Sequence, residues 1–191
     1  SNEAWFFHTP GLKIVYPSSP ADAKGLLLAS FEDPNPVLFF EHKKLYRSIK
    51  EEVSTNSYTT EIGKAKFLQK GDDITFITYG WAVHWCTELI EEMNLNATLL
   101  DLRTLVPWDK QAVEAAVKLS GKVMVVHEDN LQGGIGAEIS AWISEHCFVC
   151  LDAPVTRFGS LDTPIPFNAE LENNFLGLNR LKRKVKELLA W

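Results

Sequence analysis

Residues 122–139, KVMVVHEDNLQGGIGAEI, constrain the fold more than any other stretch of the chain. A β-rich apolar run meets an abrupt His127–Glu128 pair, then a glycine-rich turn, then a helix. That order marks the carboxyl edge of a parallel α/β sheet, where such folds place ligands and partners.

The same alternation runs through the chain. LKIVYP is a strand stopped by Pro17, and Ser18 or Ser19 caps a helix with Pro20 at its first position. Asp33-Pro34-Asn35-Pro36 breaks that helix, and VLFFEH is a buried strand. Residues 43–73 carry much Lys, Glu, Ser and Thr with little periodicity and read as a linker over a surface. Strands are expected at 74–80, 97–102, 122–128 and 153–159, and helices at 82–93, 109–121 and 136–147. A last amphipathic helix, RLKRKVKELLAW, would be capped by Asn179. Strands alternating with helices of this length require a parallel sheet with right-handed crossovers. The fold class is therefore α/β, a mostly parallel sheet with helices on both faces.

Bulk properties exclude several functions. Of the 191 residues, 46% are apolar and 23% charged, which suits a globular chain with a real core. A net charge of -6 argues against nucleic acid, because phosphate binding needs concentrated Lys and Arg. No apolar run approaches the ~20 residues of a spanning helix, and no charged-then-apolar leader opens the chain. A cytoplasmic protein without a membrane partner is expected. Ser1-Asn2 has the look of an expression-tag remnant.

Three cysteines are too few for a disulfide framework. Cys147-Phe-Val-Cys150 has redox or half-zinc spacing, but no second ligand pair exists and the motif closes a helix rather than opening one. Two small buried hydrophobes is the plainer reading. The Gly133-Gly134-Ile135-Gly136 turn has two readings: a phosphate cradle at a helix start, or close packing of helix on strand. It is neither a dinucleotide fingerprint nor a P-loop. His127–Glu128 is a functional pair or a subunit contact, His84 and His146 read as structural, and no triad or carboxylate pair assembles. Glu32-Asp33-Pro34-Asn35-Pro36 would expose carbonyls beside a carboxylate, as hard cations prefer, or is simply a proline-locked turn.

Four segments carry a family resemblance: EAWFFHTPGLKIVYPSSPADAKGLLLASFEDPNPVLFFEHKKLYRS, DLRTLVPWD, VVHEDNLQGGIGAEI and LDAPVTRFGSLDTPIPF. Together they resemble the β subunit, or β-like half, of the decarboxylating component of 2-oxoacid dehydrogenase complexes, nearest to the branched-chain (2-oxoisovalerate) and pyruvate types. The resemblance runs from Glu3 to Trp191. It implies the tail of a pyrimidine-binding domain over 3–50, a linker over 51–73 and a transketolase-like C-terminal domain over 74–191.

The resemblance further implies a parent enzyme that uses thiamine diphosphate and Mg²⁺, pairs with an α subunit or α-like half as a dimer or heterotetramer, and passes its acyl group to a lipoyl acyltransferase. The family's activating glutamate and substrate-side histidine would precede Glu3. No catalytic or cofactor-binding residue is therefore expected here, and the chain alone is expected to be inactive. At matching positions the family implies a structural K⁺ site at Ser30, Asp33 and Asn35. It also implies contacts from Asp152 and the terminal carboxylate of Trp191 to the acyltransferase's subunit-binding domain. A stand-alone anion-binding module and a transketolase-like enzyme are the alternative readings.

Overall fold

Ser19, Asp109 and Asn168 cap helix starts with their side chains, and the elements fall into two linked units. The computed structural model describes residues 1–191. The first unit holds α1 (Glu3–Phe7), β1 (Lys13–Val15), α2 (Pro20–Glu32), β2 (Val37–Phe39) and the short α3 (Leu45–Ser48). Ser19 Oγ accepts the Asp22 amide at 3.2 Å and caps α2, with Pro20 following as the sequence predicts.

The second unit runs β3 (Lys66–Gln69), β4 (Ile74–Thr78), α4 (Ala82–Met93), β5 (Ala97–Asp101), β6 (Thr104–Val106), α5 (Lys110–Ser120), β7 (Val123–Asn130) and α6 (Ile135–His146). A 3₁₀ turn at Phe148–Cys150 leads to β8 (Thr156–Ser160), α7 (Ala169–Leu176) and α8 (Leu178–Leu189). Asp109 caps α5 by accepting the Ala112 amide at 3.0 Å, and Gly121 ends it at φ 66°, a left-handed conformation that glycine adopts without strain.

Five strands form one sheet in the order β3-β5-β4-β7-β8, parallel except for β3, which runs antiparallel to β5 at the edge. Alternate side chains build two cores. Ile74, Phe76, Leu99, Met124, Val126 and Phe158 point to the face covered by α4, α7 and α8. Ile77, Leu100, Val123 and Val125 point to the face covered by α5 and α6. Burial on both faces explains why these strands read as near-continuous apolar runs.

Several sequence expectations fail in instructive ways. The stretch 51–73 contains β3, whose KFLQ lies half exposed on a sheet edge and so lacks an apolar signature. β6 was not expected: it leaves the main sheet and pairs antiparallel with β1, completing a second sheet, β2-β1-β6. The last helix is led by Gly177 at φ 65°, not by Asn179, which lies inside its first turn. α1, α3 and α7 are short, polar or exposed, and carry no clear period. No helix is long and apolar enough to cross a membrane.

Candidate functional site

In the main sheet β4 and β7 are neighbours, and the connection from β4 runs to β5 on one side while that from β7 runs to β8 on the other. The carboxyl ends of β4 and β7 therefore form the crevice where doubly wound folds bind ligands. Tyr79 and Trp81 follow β4; His127, Glu128 and Asp129 close β7. His127 is fully buried, its ring stacked on Tyr79 with centroids 6.4 Å apart. Its Nδ1 lies 3.0 Å from the Asp129 carbonyl, which makes Nδ1 the protonated nitrogen, while Nε2 finds no protein partner. Burial drives the imidazole down to about 4, so it is neutral at physiological pH.

The glycine turn exists to accommodate this ring. A Cβ on Gly136 would stand 2.6 Å from His127 Nε2, and Cβ atoms on Gly134 and Gly159 would stand 2.7 and 3.1 Å from Cε1. Just ahead of the turn, the Asp162 carboxylate accepts the Gln132 amide at 3.1 Å. Close packing, not a phosphate cradle, accounts for GGIG.

The first unit fills the crevice. Tyr79 Oη donates to Glu3 Oε1 at 3.0 Å, with Glu3 1% exposed, and Tyr16 packs on Tyr79. Burial raises both the Glu3 carboxyl and the Tyr79 phenol. Nearby, His42 Nε2 meets the Glu128 carboxylate at 2.9 Å, and the imidazole leans on Trp81, whose ring also carries Lys44 Nζ at 3.8 Å. The predicted His127–Glu128 pair is thus split between a buried packing residue and a polar contact between the units.

Further along the seam, Asp101 is buried and accepts Ser18 Oγ and the Arg103 amide; burial pushes its carboxyl up to about 6. His84 Nε2 lies 2.8 Å from the Ser18 carbonyl, a structural role as expected. Arg103, itself at φ 54°, joins Asp22 of α2 at 2.9 Å to the Lys64 carbonyl at 2.9 Å. His146 lies exposed on α6, stacked on Trp142. Nothing in the sequence pattern marked Glu3, Tyr79, Asp101 or Arg103, because each acts through a partner distant in the chain.

The candidate cation turn brings Asp33 and Asn35 together but engages Ser30 elsewhere. Asp33 Oδ1 accepts the Asn35 amide and side-chain Nδ2 at 2.9 and 3.0 Å, and its other oxygen takes Lys13 Nζ. These contacts, Lys13 first, hold its carboxyl down at about 2. Ser30 Oγ donates back to the Leu26 carbonyl at 2.7 Å. The two candidate docking features flank one segment: the Asp152 amide donates to the Gly121 carbonyl at 2.9 Å, and the adjacent Lys122 Nζ donates to the Leu189 carbonyl at 3.1 Å. Asp152 is exposed and Trp191 is 72% exposed.

The family model for the transketolase C-terminal domain matches residues 63–180, and that for the transketolase pyrimidine binding domain matches residues 1–49. The chain belongs to the transketolase C-terminal domain family. Its transketolase-type domain begins just ahead of β3, so the antiparallel edge strand belongs to it.

Among curated proteins, the chain is 49% identical over 180 residues to the 2-oxoisovalerate dehydrogenase subunit beta of Bacillus subtilis (strain 168), covering 92% of this chain and 55% of that protein. It is 46% identical over 172 residues to the mitochondrial 2-oxoisovalerate dehydrogenase subunit beta 2 of Arabidopsis thaliana, covering 87% and 47%. The pyruvate dehydrogenase E1 component subunit beta of Staphylococcus aureus is 42% identical over 187 residues, covering 96% and 57%. The chain thus spans about half the length of the curated relatives it matches. A solved split-gene transketolase, described as an inactive beta4 tetramer, superposes with a TM-score of 0.76 at 23% identity, covering 98% of this chain and 60% of that one, and shares the transketolase fold.

Proposed function

We propose that this transketolase-type chain is the C-terminal portion of the β part of a 2-oxoisovalerate dehydrogenase, and that its own work is subunit assembly and docking of the acyltransferase. The observation that carries the substrate class is the identity gradient, 49% to the branched-chain subunit of Bacillus subtilis against 42% to the pyruvate subunit of Staphylococcus aureus. The β portion pairs with an α subunit or α-like half, and the complex works in the cytoplasm.

When bound, thiamine diphosphate supplies the ylide that decarboxylates a 2-oxoacid. The residues here do not fit that group. The groove beside the glycine turn, about 570 Å³, is lined by the carboxylates Asp129 and Asp162, which repel a diphosphate. No three His, Cys, Asp or Glu side chains converge as metal ligands. The chain's residues instead hold surfaces. Glu3, Tyr16 and His42 lock the first unit onto the sheet, while Asp152 and the Trp191 carboxylate present negative charge to a basic partner. At the K⁺ turn proposed for Ser30, Asp33 and Asn35, the ion would have to draw Ser30 Oγ from the Leu26 carbonyl and compete with Lys13 for the Asp33 carboxylate.

Kinetics of the full-length β polypeptide assembled with its α partner test the substrate class. kcat/KM for 2-oxoisovalerate should exceed that for pyruvate by about tenfold or more, the effect of its two extra methyl groups in an apolar pocket. Equal values, or a preference for pyruvate, would assign the chain to the pyruvate type.

A further inference from the structure

In the CFVC motif, 147–150, Cys147 belongs to the core on the α5–α6 face and Cys150 packs against it, but neither thiol has a part in the proposed docking. α6 ends at His146, and the following 3₁₀ turn closes with the Cys150 amide donating to the Cys147 carbonyl at 2.8 Å. That bond between residues three apart closes the motif into one turn and draws its two ends, Cys147 and Cys150, together, with Cys147 just ahead of the 3₁₀ residues. One 3₁₀ turn rises about 6 Å, which puts the two Cα atoms inside the roughly 4.4–6.8 Å span that a disulfide bridges.

The two thiols differ in access. Both are free; Cys147 is 1% exposed and Cys150 is partly exposed. Phe148 and Val149 between them are 73% and 93% exposed, so the turn projects from the surface and a small reagent can reach it. The Lys118–Glu114 ion pair of α5 lies within electrostatic reach of Cys147. The third cysteine, Cys86, is buried in the core on the other face of the sheet, too remote to compete.

We infer that Cys147 and Cys150 form a vicinal dithiol that small-molecule disulfides oxidise to an intramolecular disulfide. The Cys150 thiolate attacks the reagent disulfide, forming a mixed disulfide and expelling one reagent thiolate. The Cys147 thiolate then attacks the Cys150 sulfur, closing the protein disulfide and expelling the second. The protons lost by the two cysteines end on the two reagent thiols, so the protein is oxidised by two electrons and the reagent reduced by two. Burial holds the Cys147 thiol protonated, so closing the ring is the slower step.

Incubation of the full-length protein with excess glutathione disulfide, followed by intact mass and peptide mapping, tests this. The wild type should lose two hydrogens, with Cys147 and Cys150 recovered as one cross-linked peptide that dithiothreitol opens. Cys147→Ser and Cys147→Ala should each stop at a glutathione adduct on Cys150 that persists about tenfold longer than in the wild type. Cys150→Ser should remain unmodified. In every sample Cys86 should alkylate only after denaturation, which reports intact folding. A wild type that keeps the glutathione adduct as long as Cys147→Ser does, or that takes up none, would overturn the assignment.

Discussion

His127 shows how much chemistry one residue can be denied by its surroundings. At the end of a parallel strand an imidazole beside a carboxylate reads as an acid–base pair. Three glycine backbones and the Tyr79 ring instead wrap it so closely that no protein hydrogen-bond donor reaches Nε2. Its folded-state value, about 4, lies below the unfolded value near 6.5. The unfolded chain therefore binds more protons between those limits, and folding stability falls as pH drops from about 6.5 to about 4. His127→Gln removes this linkage. In urea melts, the stability of the wild type relative to His127→Gln should fall across that window, by up to about 3 kcal/mol. A pH-independent difference would show that the imidazole titrates normally. The residue type was legible as special from sequence; its burial was not, because the wrapping glycines include Gly159 on another strand.

At the scale of elements, legibility tracked burial on both faces. β4, β5 and β7 announce themselves as apolar runs because α4 lies over one side and α5 and α6 over the other. β3 and β6 are invisible for other reasons: β3 pairs at a sheet edge with mostly exposed side chains, and β6, though Leu105 is buried, is only three residues long. The turn after α2 lies between these cases. Its Asx geometry, Asp33 to the Asn35 amide, follows from the sequence, whereas Lys13 reaching the same carboxylate does not. If the turn takes K⁺, thermal unfolding of the full-length protein should occur a few degrees higher in KCl than in NaCl or choline chloride of equal ionic strength, about 1 kcal/mol of linkage. Asp33→Ala should abolish the difference. Equal midpoints in the three salts would leave the turn as an Asp33–Lys13 ion pair alone.

For the whole molecule, the proposed docking residues lie at the amino end of the main sheet, away from the crevice that holds the two units together. Asp152 and the chain end are drawn to one place by the Gly121–Lys122 segment, a convergence that spacing along the chain does not reveal. Asp152→Arg should weaken binding of the acyltransferase's subunit-binding domain about tenfold or more at low salt, with the gap to wild type narrowing as salt rises. Calorimetric titration of the assembled enzyme measures this, and an unchanged affinity at low salt would remove Asp152 from the docking face. The strand β6 carries a separate consequence. It belongs to one unit by chain position and to the other by pairing with β1, so the first unit's sheet is completed by a strand the second supplies, while the five strands of the main sheet all come from the second unit. A cut in the 50–62 connection would therefore sever the chain without freeing the first unit, which could not be borrowed as a portable module.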